Sequence, residues 1–201
     1  MKFGTIGAGV IGAAIAGHIV NTGYEVTLSN SRGPSTLSAL VSRLGPLASA
    51  GTVAQAASAD IVFLAVPWPD VAAALDGLPA WDGRILIDTT NQFQLVGGRP
   101  ESIDLGDQTG SEVVAAHAPG ARVIKAFNTL YASYIEPDPR HDVGRQVVFY
   151  AGDDADAKTA FGTVIDQFGF APVDIGGLRD GGRLMQVGGG PLSGLHVLRQ
   201  A

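Results

Sequence analysis

The chain contains no cysteine, which excludes disulfides, thiolate metal ligands and a cysteine nucleophile, and accords with a reducing cytoplasm. Charge is sparse as well: Asp, Glu, Lys and Arg together make up 16% of the 201 residues, and the acids outnumber the bases to leave a formal net charge of −6. The basic face that nucleic acid or an anionic membrane requires is therefore not expected. Long apolar runs are also missing. The run Val10 to Val20 follows a single Lys2, is broken by His18 and is too short to span a bilayer, so it is read neither as a signal peptide nor as a membrane helix. Pairings that reduce carbonyls by acid–base chemistry are lacking too: there is no Ser-x-x-x-Lys, no Tyr-x-x-x-Lys and no convincing His/Asp constellation. What is present is 46% hydrophobic residues, enough for one well-buried core, and 28 glycines.

Three of those glycines organise the rest. Lys2 to Ile6 reads as a short buried strand, and Gly7, Gly9 and Gly12 follow it in the spacing G-x-G-x-x-G as an apolar helix, Val10 to Asn21, opens. The first glycine permits the strand-to-helix turn, the second lets backbone approach a pyrophosphate, and the third lets helix and strand pack closely. Amides of Val10, Ile11 and Gly12 would then face the negative charge, and Ala8 lies within the same turn. Gly23 ends the helix, and Glu25 to Ser29 alternates as a second strand. An NAD-selective site places Asp or Glu after that strand to hold the ribose 2′-OH; here the residues are Asn30, Ser31 and Arg32. A hydroxyl and a guanidinium suit a 2′-phosphate, so the expected cofactor is NADP(H) rather than NAD(H). The plain alternative for Arg32 is a solvated loop arginine.

Further along, Ser35 is expected to cap a helix through Arg43, Pro46 to Val53 to be a weak strand and Val53 to Ala57 a short helix. The apolar run Asp60 to Val66 suits a central parallel strand, and its end, Ala65, Val66 and Pro67 followed by Trp68 and Pro69, falls at the sheet edge where ligands bind. Gly83 to Asp88 is the next strand, ending in Thr89, Thr90 and Asn91, where the nicotinamide or its ribose is expected. Gln92 to Thr109 reads as a mobile surface loop, Gly110 to Ala118 as helix, and Ala121 to Phe127 as strand with Lys125 on a solvated or interface face. His18 is read as a partly exposed helix residue. Glu136 to Gly144 reads as a polar loop with His141 exposed; Gln146 to Ala151 and Phe170 to Ile175 are strands around a helix that starts at Gly152-Asp153-Asp154, where acids serve as caps rather than metal ligands. The expected fold is α/β, Rossmann-type and doubly wound, with a mostly parallel sheet over residues 1–175 and a short C-terminal extension, 176–201, that completes the acceptor site or a dimer interface.

GAGVIG, the strand end NSR, VFLAVPW, PGARVIKAFNT and the C-terminal GGPL together resemble the NADP oxidoreductases that depend on the deazaflavin coenzyme F-420, and related bacterial dinucleotide-binding enzymes. The resemblance implies compact, commonly dimeric enzymes that move hydride between NADP(H) and a flat small-molecule acceptor. It places Gly7 to Gly12 at the pyrophosphate, Ser31 and Arg32 at the 2′-phosphate, Val66 and Pro67 near the adenosine or ribose, and Asn91 and Asn128 toward the nicotinamide. Two departures stand out: the tail is short and glycine-rich, and Tyr131 stands where relatives often carry proline.

Three readings follow: a reductase of a deazaflavin, an NADPH-dependent reductase of a flavin, quinone, imine or metal chelate, and a non-catalytic NADP(H)-binding sensor. No residue is singled out as a catalytic acid or base, and no metal site is expected. An open apolar pocket above the nicotinamide would favour an enzyme, and a filled one a sensor. So short a chain could cover its acceptor as an isologous homodimer, each tail closing the partner's site.

Overall fold

The structure is a computed structural model and describes residues 1–200. Strand β1 (Phe3–Ile6) leads into α1 (Val10–Asn21), β2 (Val26–Ser29), α2 (Ser38–Leu44), β3 (Ala48–Ala50) and α3 (Val53–Ala57). Next come β4 (Ile61–Leu64), α4 (Val71–Leu75), β5 (Ile85–Asp88), the pair β6 (Phe93–Val96) and β7 (Arg99–Ser102), α5 (Gly110–His117) and β8 (Arg122–Ala126). The chain finishes through α6 (Ala132–Ile135), β9 (Arg140–His141), β10 (Gly144–Gly152), α7 (Ala155–Gln167), β11 (Ala171–Asp174), α8 (Asp180–Met185) and β12 (Leu198–Arg199).

The main sheet runs β3-β2-β1-β4-β5-β8-β10-β11, and its first six strands are parallel. β10 lies antiparallel to β8 and parallel to β11, so the sheet is mostly parallel, as expected. Strand order reverses between β1 and β4, and the carboxyl ends of these two strands flank the switch point at which such sheets bind ligands. Successive side chains of one strand enter different cores. Ile61 and Phe63 join Phe3, Ile15 and Phe161 on one face, while Val62 and Leu64 join Leu86, Val71 and Val114 on the other. Burial on both faces is why these strands are continuous apolar runs rather than alternating ones.

Three expectations are corrected. His18 is buried, at 6% exposure, because α6 folds back over α1: its Nε2–H donates to Ile135 O at 2.5 Å, and its ring packs on Phe168 and Phe170. Burial holds its pKa below the ordinary imidazole value, opposed by the hydrogen bond to Ile135. Ser35 caps nothing; Pro34–Leu37 forms a 3-10 turn after Gly33, and α2 starts at Ser38. Within Gln92 to Thr109 lies the antiparallel hairpin β6–β7, turned by Gly97 and Gly98 at φ of 58° and 80°. The tail carries α8, and β12 pairs antiparallel with the start of β10. His141 is exposed, as expected, though it pairs within the short strand β9. Among the described residues no helix is long and apolar enough to cross a membrane.

Candidate cofactor and acceptor groove

The glycine turn is a matter of atomic clearance. Gly7 has φ 99°, and a β carbon there would stand 2.2 Å from Ala65 O. One at Gly12 would stand 2.2 Å from Gly7 O, so only glycine lets α1 sit this close to β1. Gly9 is different: nothing lies within 4 Å of its β-carbon position, and the space is open to an incoming group. As the N-cap of α1 it offers no side chain, and the first turn of that helix carries no acid. Helices α3 and α5, by contrast, are closed by capping boxes, Thr52 with Gln55 and Thr109 with Glu112, and α7 by Asp154. The Val10, Ile11 and Gly12 amides are thus left free at the positive end of a twelve-residue helix.

Two chambers open on either side of this turn. The first, about 550 Å³, is bounded by Gly7, Ala8 and Gly9, by Ala65, Val66 and Pro67 beyond β4, and by Asn30, Ser31 and Arg32 beyond β2. Asn30 shapes the last segment: its Oδ1 accepts from Arg32 N at 3.0 Å and its Nδ2 donates to Thr36 Oγ1 at 2.9 Å. Ser31 and Arg32 are exposed, and the Arg32 guanidinium has no hydrogen-bond or ion-pair partner among the described residues. The two carboxylates of this chamber, Asp70 and Asp76, are carried by the segment around α4, not by the strand end where a 2′-OH would be read. Of the sequence-derived set, Gly12 is the one member of the turn that lines neither chamber; its part is packing.

The second chamber, about 630 Å³, shares Gly9, Ala65, Val66 and Pro67 with the first, so the two form one groove across the switch point. Its walls are Val10 and Ile11 of α1, Trp68 and Pro69, the shelf Thr89-Thr90-Asn91 beyond β5, and Phe93, Gln94 and Leu95 of the hairpin. The shelf is fixed from below. Asp88 Oδ1 accepts from Thr90 N (2.9 Å) and Thr90 Oγ1 (2.7 Å), and Asp88 Oδ2 accepts from Ser111 Oγ (2.7 Å) and Lys125 Nζ (3.0 Å). Lys125 also donates to Thr90 O. Asp88 and Lys125 face one another in parallel register across β5 and β8, with side-chain exposures of 0% and 4%. Lys125 is therefore not on a solvated face. An ammonium inside an apolar strand is tolerated because a carboxylate and a carbonyl meet it there.

Asn91 and Asn128 do come together. Asn91 Nδ2 donates to Asn128 O at 2.9 Å, and Asn128 Nδ2 donates to Asn91 Oδ1 at 3.1 Å and Met185 O at 2.9 Å. Asn91 borders the second chamber, whereas Asn128 is buried behind it, and its Oδ1 has no partner among the described residues. The backbone turns there through Phe127, at φ 64°, an unfavourable conformation for a bulky residue. Edge-to-face contacts with Phe63, Phe161 and Phe170 hold it. The hairpin wall and the Asp88–Lys125 pair were missed from sequence. The signal for the pair was the opposite charges each set into an apolar strand, RILID and RVIKAF.

Comparison with known proteins agrees with this geometry. Residues 2–92 match the family described as NADP oxidoreductase, coenzyme F420-dependent. The whole chain superposes on the crystal structure of a hypothetical protein from Sinorhizobium meliloti with a TM-score of 0.92 and 36% identity, covering 96% of that chain. A protein from Arthrobacter sp. FB24, with an inferred F420-dependent NADP-reductase activity, gives a TM-score of 0.79 at 28% identity, over 89% of this chain and 86% of that one. Metalloreductase STEAP3 of Rattus norvegicus is 28% identical over 177 residues, 88% of this chain, and this chain spans about a third (34%) of that relative's length.

Proposed function

We propose that the chain, whose residues 2–92 match the coenzyme F420-dependent NADP oxidoreductases, binds NADP(H) along the groove and passes hydride to a flat acceptor, a deazaflavin first among them, in the second chamber. The observation that carries this reading is that the chamber beside the cofactor groove is open and apolar rather than filled, which favours an enzyme over a sensor. The residues present fit the cofactor. The free amides of Val10, Ile11 and Gly12 take the pyrophosphate, with Gly9 allowing close approach. Ser31 and the unpaired Arg32, on the turn set by Asn30, take the 2′-phosphate. Ala8, Ala65, Val66 and Pro67 border the adenosine and its ribose. Asn91, held by Asn128, orients the nicotinamide with Thr89 and Thr90. Bound there, the cofactor supplies a hydride from its reduced nicotinamide ring. The chain's own part is to align two flat rings and keep water out, which asks for rigid walls and no proton-transferring side chain.

Residues 1–175 act in this reading as the dinucleotide-binding domain, and 176–201 as an extension that braces the acceptor end. Asn128 Nδ2 donates to Met185 O, Thr109 Oγ1 to Leu178 O, and Gln92 Nε2 to Val187 O. Exposed Tyr131, Tyr134 and Leu195 beside this extension support an isologous dimer of a cytoplasmic enzyme. The rat metalloreductase relation supports including a ferric chelate among the acceptors assayed. The test is NADPH and NADH titration followed by anaerobic hydride transfer to oxidised deazaflavin. Tight, NADPH-selective binding with turnover is the expected result. Equal affinity for both cofactors overturns the phosphate assignment, and NADPH binding without turnover on any acceptor overturns the enzyme reading.

A further inference from the structure

The shelf Thr89-Thr90-Asn91 turns its side chains inward. Thr89 Oγ1 donates to Leu64 O at 2.8 Å, Thr90 Oγ1 donates to Asp88, and the Asn91 amide is paired with Asn128. The backbone is held as firmly at Thr90. Asp88 Oδ1 accepts from Thr90 N at 2.9 Å, and Lys125 Nζ donates to Thr90 O. The buried ion pair thus fixes both peptide groups that flank Thr90, one by its N–H and the other by its C=O.

A trans peptide is planar, and its C=O and N–H point in opposite directions. With Thr90 N–H turned to Asp88, the other end of that peptide, Thr89 C=O, is turned away from the pair. With Thr90 C=O turned to Lys125, Asn91 N–H is turned away likewise. Among the described residues neither Thr89 O nor Asn91 N has a hydrogen-bond partner, although Thr89 N donates to Leu64 O and Asn91 O accepts from Phe93 N. Both residues line the second chamber, and Thr89 is only 8% exposed. The shelf therefore presents one acceptor and one donor, unmet and two residues apart. A primary carboxamide supplies the complement, an N–H donor and a C=O acceptor on one planar carbon.

Resting on the reading that the groove holds NADP(H), we propose that the shelf backbone reads the carboxamide of the nicotinamide: Thr89 O accepts from its N–H, and Asn91 N donates to its oxygen. Asp88 and Lys125 are positioning residues that aim these two groups without touching the ligand. Fixing the carboxamide fixes which face of the ring looks into the chamber, an alignment that hydride transfer needs. The buried pair then has a task in geometry that its small net contribution to stability would not explain.

Two readouts test this without turnover. Calorimetric titration compares NADP⁺ with its 3-acetylpyridine analogue, in which a methyl group replaces the amide nitrogen and leaves Thr89 O without a donor. The analogue is expected to bind at least about fivefold more weakly. Amide NMR of nitrogen-15-labelled protein then follows Asn91 N–H, which is expected to move downfield as NADP⁺ saturates the site. In Lys125→Met, which releases Thr90 O, most of that movement is expected to be lost; in Arg32→Ala, saturated with NADP⁺, it is expected to persist. Should the single variant not fold, Lys125→Met/Asp88→Asn takes its place, with the same loss expected. Equal affinity for the analogue, an Asn91 amide that NADP⁺ leaves in place, or a shift undiminished in the Lys125 variant each overturns the proposal. The affinity for NADP⁺ itself reports on the cofactor reading. Absent binding fails that reading and the proposal with it, whereas tight binding without preference over the analogue fails the carboxamide assignment alone.

Discussion

The two chambers of the groove are built from different material. The first is made of backbone: glycines whose missing β carbons set clearances, amides left uncapped, and an Asx turn at Asn30. The second is made of side chains drawn from distant parts of the chain, with a shelf supported by an ion pair between β5 and β8 and a wall contributed by a hairpin outside the main sheet. Backbone-built sites recur wherever the same turn recurs, and they bind what all relatives share. A side-chain-built site can be altered without touching the turn, and it suits the acceptor, the part that varies within a fold.

Perturbing each side in turn should separate them. The largest effect is expected from Lys125→Met, which leaves Asp88 buried without its counter-ion and should lower stability by about 3–5 kcal/mol. Urea unfolding measures it, and Lys125→Met/Asp88→Asn, which removes the orphaned charge but keeps an acceptor for Thr90 and Ser111, should recover part of the loss. In folded single variant, turnover should fall far more than NADPH affinity; equal losses would join what the two chambers keep apart. Gly12→Ala comes next. Its β carbon meets Gly7 O, so α1 must shift, costing about 1–3 kcal/mol of stability together with cofactor affinity. Gly9→Ala should leave the melting temperature in place and weaken NADPH and NADH alike, because its β carbon meets only open space in the protein and stands where the shared pyrophosphate would approach. Arg32→Ala should cost about 1.5–3 kcal/mol of NADPH binding, roughly a 10- to 150-fold weaker Kd, with NADH unaffected. Isothermal titration with both cofactors decides it.

The smallest effect belongs to His18, away from both chambers. Its folded pKa lies below the ordinary value of 6.5, so the unfolded chain binds the proton more readily. Stability from the neutral, buried ring is therefore complete above that ordinary value and is lost as pH falls through the lowered one. Denaturation midpoints measured downward from neutral pH should decline over this window, and His18→Gln should flatten the decline.

Much of the first chamber was legible because its chemistry is local. G-x-G-x-x-G, the helix behind it and the strand end Asn30-Ser31-Arg32 are short stretches whose spacing carries their geometry. The parallel strands were legible for a related reason, since burial on both faces writes itself as an apolar run. Lys125 was misread because its partner, Asp88, is 37 residues away, and pattern alone treats a charge in a strand as solvated. His18 was misread for the same reason: the four-residue helix that buries it is too short to announce itself. The hairpin β6–β7 was hidden by exposure, because only Phe93 of its eight residues is even partly buried and no apolar alternation marks its strands.

That hairpin also has a bearing on how such an enzyme could be re-engineered. Its stem is closed at the base, where Ile103 N donates to Gln92 O at 2.9 Å, and it pairs with no strand of the main sheet. A segment whose two ends are fastened to each other can be replaced as a cassette. On the proposed reading, hairpins of other lengths and tip sequences, grafted between Gln92 and Ile103, would change which acceptor is admitted while the scaffold and the cofactor groove stay as they are.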